Sequence, residues 1–181
     1  MHDLKTLFII WHIVLAFLLY QLPFMSTYYG LFIILLGTYY ILGKPGSTGQ
    51  YTLNFAAYIV GVEVLLRMTG ANLFWEFGKY AVIYFLLLGL ISKKVKVQIF
   101  PPILYYFILL LPAVLLVPMN SINAWRQDVA FNLSGPAVLT LCSIYLYNQT
   151  MNKKIIKNIL FFLILPIISM AIYNILDMPN L

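Results

Sequence analysis

Residues 153–177 read KKIIKNILFFLILPIISMAIYNILD, three lysines followed by an apolar run from Asn158 to Asp177. About 20 helical residues at 1.5 Å rise cover the roughly 30 Å hydrocarbon core of a bilayer, so the run predicts a transmembrane helix. Pro166 within it is tolerable where a neighbouring helix satisfies the freed carbonyl. The lysines at 153, 154 and 157 flank only one end, which marks that end as cytoplasmic by the positive-inside rule.

Six further runs of the same kind lie upstream, at about 4–22, 25–43, 51–68, 75–92, 99–119 and 131–149. They predict an all-α, polytopic transmembrane bundle of about seven helices forming a single domain over 1–181. Composition agrees. The chain is 63% hydrophobic and 9% charged, whereas a soluble domain has about 25% charged residues, so a water-exposed surface cannot be built from this pool. The second and fourth runs are short and lean on Tyr28, Tyr29, Phe74 and Trp75 as interfacial ends. Punctuation falls between runs: Gly43 to Gly49, Pro101-Pro102, and Asn120 to Asn123. The first run lacks a small-residue cleavage site and reads as a mature helix rather than a signal peptide.

With seven crossings and the N-terminus inside, Lys5, Lys44, the Lys93/Lys94/Lys96 cluster and the Lys153/Lys154/Lys157 cluster all fall in the cytoplasm. The other face receives Arg67, Lys79 and Arg126 mixed with Glu63, Glu76, Asp128 and Asp177, and the C-terminus lies on that side. The net charge of +6 therefore reads as a topology signal, and nucleic acid is excluded as a partner. Cys142, the single cysteine, offers no intramolecular disulfide, and His2 and His12 share no helix face, so no metal site is expected. Asn148-Gln149-Thr150 matches a glycosylation acceptor but falls on the cytoplasmic side.

Glu63 precedes Arg67 by four residues, the spacing and order that favour an ion pair on one helix face. Ionisable groups near the outer leaflet are costly unless they face the bundle or water, and that makes the pair a candidate site. The alternative is a structural bridge that pins the helix end. Residues 69–79 add Glu76 and Lys79 at the same interface, among the aromatics of a membrane belt, and Lys79 also reads as a snorkelling lysine. In the next outer connection, Trp125-Arg126-Gln127-Asp128 precedes Asn132-Leu133-Ser134-Gly135-Pro136, where the sixth helix is expected to begin. Backbone N–H groups at a helix start beside a guanidinium suit an anionic oxygen, although a capped, charged loop has the same composition. Arg67 and Arg126 share a face, and guanidinium forks favour phosphate, so a lipid-linked phosphate in the outer leaflet is the expected ligand.

Three segments, Val62-Glu63-Val64-Leu65-Leu66-Arg67-Met68-Thr69, then Phe74-Trp75-Glu76-Phe77-Gly78-Lys79-Tyr80, then residues Arg126 to Pro136, carry a family likeness. Together they resemble the N-terminal half of the O-antigen ligase and O-antigen polymerase-like proteins of Bacteroidetes, from about Lys44 to the C-terminus. The resemblance implies glycan transfer from undecaprenyl pyrophosphate to an acceptor at the periplasmic face of the bacterial inner membrane, without nucleotide sugar, metal or other cofactor. It gives Arg67 and Arg126 the pyrophosphate, with Glu63 and Lys79 beside them as the substrate-binding set, and assigns no catalytic residue. Family members continue into a large periplasmic loop bearing the histidine that activates the acceptor. This chain is therefore expected to be the N-terminal portion, inactive without a missing C-terminal half.

The competing class is a non-enzymatic multi-pass partner or a transporter-like protein. Against a secondary transporter stand the lack of an internal repeat and of a charged residue near the bilayer midplane. A retinal protein would need a lysine within the last helix, and residues 160–176 hold none.

Overall fold

A computed structural model gives the fold and describes residues 2–43, 48–74, 76–92, 98, 101–117 and 121–178. Among these residues there are seven α-helices and no strand. They are α1 (His2–Gln21), α2 (Met25–Gly43), α3 (Thr48–Met68), α4 (Phe77–Ser92), α5 (Pro101–Leu110), α6 (Ile122–Tyr147) and α7 (Lys153–Asp177). The expected all-helical class and helix number hold. Trp75, Lys44, Lys93, Lys94 and Lys96 lie outside the described residues.

Local chemistry sets the helix boundaries. Pro101 and Pro102 open α5, where a missing N–H costs nothing. Pro112, which cannot donate to a carbonyl four residues back, sits where α5 tightens into the 3₁₀ segment Leu111–Leu116. Ser121 caps α6, its side chain accepting from the Ala124 N–H at 3.2 Å. Asn152 does the same for α7, accepting from the Ile155 N–H at 2.9 Å.

Two boundaries correct the sequence reading. Helix α6 begins at Ile122, not near 131, and α7 begins at Lys153, not 158. Hydropathy marks where a helix becomes apolar. The backbone starts coiling earlier, at the capping residue, and carries polar side chains such as Arg126 and Asp128 on a helical extension.

Helix α3 is central, packing against α7, α4 and α2; α7 also packs on α1, and α4 on α6 and α2. Ile59, Val62 and Leu65 of α3 are fully buried, together with Phe85 of α4 and Leu165 of α7. The α3–α7 approach depends on Gly61, because a Cβ there would collide with the Leu163 carbonyl and the Pro166 ring. Among the described residues four helices are long and apolar enough to cross a membrane: Met25–Gly43, Gly49–Met68, Ile122–Tyr147 and Lys153–Asp177. Lys5–Gln21, Phe77–Ser92 and Pro101–Leu110 are apolar but shorter.

Contacts between helix ends show how the charges sort. At one end Lys5 of α1 lies over the Phe161 ring of α7 at 5.0 Å, and Asn148 pairs with the Gln98 backbone in both directions at 2.7 and 2.8 Å. At the other, the Asn72 N–H reaches Thr27 at the start of α2, and Tyr20 meets Tyr173 edge-on. Lys5, Lys153, Lys154 and Lys157 therefore occupy the first end, and Glu63, Arg67, Glu76 and Lys79 the second.

Candidate functional site

Glu63 and Arg67 lie on the last turns of α3, which closes with a paired-carbonyl cap. Gly70 takes φ +68°, the Ala71 N–H donates to the Leu66 carbonyl and the Gly70 N–H to the Arg67 carbonyl. This is the geometry in which glycine at the position after the cap costs least. The Thr69 hydroxyl adds a bond to the Leu65 carbonyl at 2.9 Å, and the Asn72–Thr27 bond ties the loop to α2. The chain thus reverses tightly and delivers Glu76 and α4 beside the end of α3.

The expected Glu63–Arg67 pair is present. One carboxylate oxygen of Glu63 accepts from Nη2 of Arg67 at 2.6 Å and from Nε at 3.2 Å. Its other oxygen rests on Gly78 of α4, where a Cβ would take the space the carboxylate fills. A second pair stands alongside: Lys79 Nζ is 2.7 Å from Glu76 Oε2, the same oxygen that accepts from the Ser134 hydroxyl at 2.8 Å. Lys79 also donates to Ser134 at 3.1 Å and lies 5.3 Å above the Phe131 ring. Two acids, two bases and a hydroxyl from α3, the turn before α4, α4 itself and α6 therefore form one charge-neutral cluster.

Burial pushes the Glu76 carboxyl up, but the hydrogen bonds from Lys79 and Ser134 and the positive charges of Lys79 and Arg67 outweigh it. Its pKa ends below the ordinary value, and the group stays ionised at neutral pH.

A cavity of about 360 Å³ adjoins the cluster. Glu63 and Arg67 supply its polar side and Leu66, Leu73, Phe74 and Phe77 its apolar walls. Arg67 keeps 44% of its side chain exposed and Glu63 27%, so this end of the pair is open to an incoming group. An anion that enters meets a guanidinium with apolar surface behind it, the environment of an amphiphile's head and upper chain.

Arg126 is not part of this cluster. It sits exposed in the second turn of α6, eight residues before Ser134, which is about 12 Å along the axis. The anion site expected at a helix start near Asn132–Pro136 does not form either. Those residues are interior to α6, where backbone N–H groups are engaged within the helix and Pro136 has none. Lys79 is brought to the site, though as a partner of Glu76 rather than a free cation. Sequence reading gave Gly78 no role and placed Ser134 only in an expected helix start, with no part for its hydroxyl. The three-residue spacing of Glu76 and Lys79 could have been read, whereas Ser134, 58 residues beyond Glu76, gives no local sign. Among the described residues no three His, Cys, Asp or Glu side chains converge to hold a metal ion.

The fold and site define a class: an all-helical protein with four helices suited to crossing a membrane and an acid–base cluster at one end of the helix set. No protein-family model, curated protein or solved structure matches the chain.

Proposed function

We propose that this chain is the membrane-embedded, donor-binding portion of an O-antigen ligase or polymerase-like glycosyltransferase. In this reading it crosses the bacterial inner membrane seven times, with the lysine-rich end and N-terminus in the cytoplasm and the Glu63/Arg67/Glu76/Lys79 end in the periplasm. There it holds the pyrophosphate of an undecaprenyl-linked glycan. The observation that carries the reading is Arg67, half exposed at the polar side of a cavity whose remaining walls are apolar. Transfer itself requires an acceptor-activating base, which this cluster does not supply: Glu63 and Glu76 are both committed to cations.

Equilibrium binding of undecaprenyl pyrophosphate to the purified chain in nanodiscs tests this. Saturable binding is expected, weakened about tenfold or more by Arg67→Ala, since a lost charge-assisted contact is worth at least about 1.4 kcal/mol. Arg126→Ala should have a smaller effect, given its distance from the cluster. Equal binding by wild type and Arg67→Ala overturns the assignment.

A second reading, a non-enzymatic membrane partner whose charges only pin helix ends, is favoured by one fact: Arg67 and Lys79 already have carboxylate partners. Glu63→Gln separates the two. Under donor binding it removes a competitor for Arg67 and preserves or tightens binding; under the structural role it lowers thermal stability as much as Arg67→Gln and reveals no ligand.

A further inference from the structure

A cavity of about 490 Å³ opens at the lysine-rich end of the molecule and runs inward between α1, α2, α3 and α7. Lys5 and Lys154 stand at its mouth, at the starts of α1 and α7, with the amides of Gln50, Asn54 and Asn158 just inside. Among the described residues that line the cavity there is no carboxylate, and the two lysines make its mouth basic. Asn54 is 3% exposed, and its Oδ1 has no hydrogen-bond partner among the described residues. A buried acceptor left unpaired costs about 1–3 kcal/mol, a debt that a donor on a bound molecule would cancel.

Deeper in, the polar wall is a directed chain. The Phe8 carbonyl at 2.7 Å can only accept, so His12 donates from Nδ1 and its Nε2 accepts from the Tyr58 hydroxyl at 2.8 Å. Tyr58 in turn accepts from the Tyr29 hydroxyl. The chain ends on the Tyr29 oxygen, a second acceptor on the cavity wall. Laterally the cavity is lined by Trp11 of α1 and Phe32 of α2, 53% and 54% exposed, so its wall continues onto the apolar outer surface.

We infer that this cavity binds one phospholipid, its phosphate between Lys5 and Lys154 and a hydroxyl or ammonium of its headgroup donating to Asn54 Oδ1, with an acyl chain leaving between α1 and α2. Each part of the site selects one part of that ligand. The lysines require an anion, Asn54 requires a donor next to it, and the lateral opening requires a hydrocarbon chain. A free phosphate ester satisfies only the first two requirements, and a choline lipid lacks the donor. The inference does not rest on the glycosyltransferase reading, which concerns the opposite end.

Native mass spectrometry of the full chain, titrated with dioleoyl phosphatidylglycerol, dioleoyl phosphatidylcholine and glycerol 3-phosphate, tests it. One phosphatidylglycerol per chain is expected to bind saturably, at least about tenfold tighter than phosphatidylcholine. Glycerol 3-phosphate should not bind. Lys154→Gln, at an exposed helix start where folding is not at stake, should cost about tenfold in phosphatidylglycerol affinity. Asn54→Leu should erase the preference over phosphatidylcholine while leaving residual binding through the lysines. Equal binding of the two lipids to wild type, or glycerol 3-phosphate binding as tightly as phosphatidylglycerol, overturns the proposal, as does an unchanged affinity in Lys154→Gln.

Discussion

The carboxylate of Glu63 on α3 lies directly on Gly78 of α4, and the space it fills is the space a Cβ at residue 78 would need. This contact lets two acid–base pairs from different helices stand side by side, because any larger residue would drive the Glu63 carboxylate away from its seat.

Gly78→Ala is accordingly expected to cost no more than about 1 kcal/mol, because what it displaces is the end of a flexible, partly exposed side chain that can swing aside at the expense of its contact with Arg67. Gly135→Ala on α6, where an added Cβ meets nothing within 4 Å, should leave stability unchanged or slightly raised. Thermal unfolding of both variants in the same detergent makes the comparison.

The Glu76–Lys79 pair is asymmetric, with the Glu76 side chain 10% exposed and that of Lys79 35%. Removing the lysine strands a nearly buried carboxylate, whereas removing the acid leaves a lysine able to extend toward solvent. Lys79→Met should therefore destabilise more than Glu76→Gln. We expect roughly 2–4 kcal/mol for the former, less than for a fully buried pair because Lys79 is partly solvated. Equal losses would show that burial at Glu76 has no energetic consequence.

Acid should expose the same group. The folded state holds the Glu76 proton less tightly than the unfolded chain does, since its pKa is depressed. Its contribution to stability is complete above the ordinary value near 4.5 and is lost as pH falls from there through the lowered folded value. Unfolding measured from pH 7 to pH 3 should show that decline in wild type and a shallower one in Glu76→Gln.

Gly70 is held at φ +68° by the reversal that follows α3. Gly70→Ala should cost about 1 kcal/mol from left-handed strain alone, because open space surrounds the position. Any larger loss would mean that the reversal itself had come undone.

What the sequence discloses follows the reach of its interactions. Helix α2 matches the expected 25–43, bounded by Pro23 on one side and Gly43 on the other, and the Glu63–Arg67 pair is legible because both residues lie one turn apart on a single helix. The start of α6 is misplaced because Arg126, Gln127 and Asp128 look like a loop to hydropathy, although Ser121 caps a helix that already contains them. Ser134, Gly78 and the His12–Tyr58–Tyr29 chain depend on tertiary packing across 15 to 58 residues, beyond any local pattern.

The most direct test of the donor site is photo-crosslinking. A polyprenyl pyrophosphate carrying a photoreactive group beside the pyrophosphate is irradiated with the chain in nanodiscs, and the labelled peptides are mapped. Label confined to the end of α3 and the loop into α4, Glu63 to Lys79, and reduced by Arg67→Ala, is the expected result. Label at the Lys5/Lys154 cavity, or label that excess unmodified polyprenyl pyrophosphate fails to displace, would contradict it.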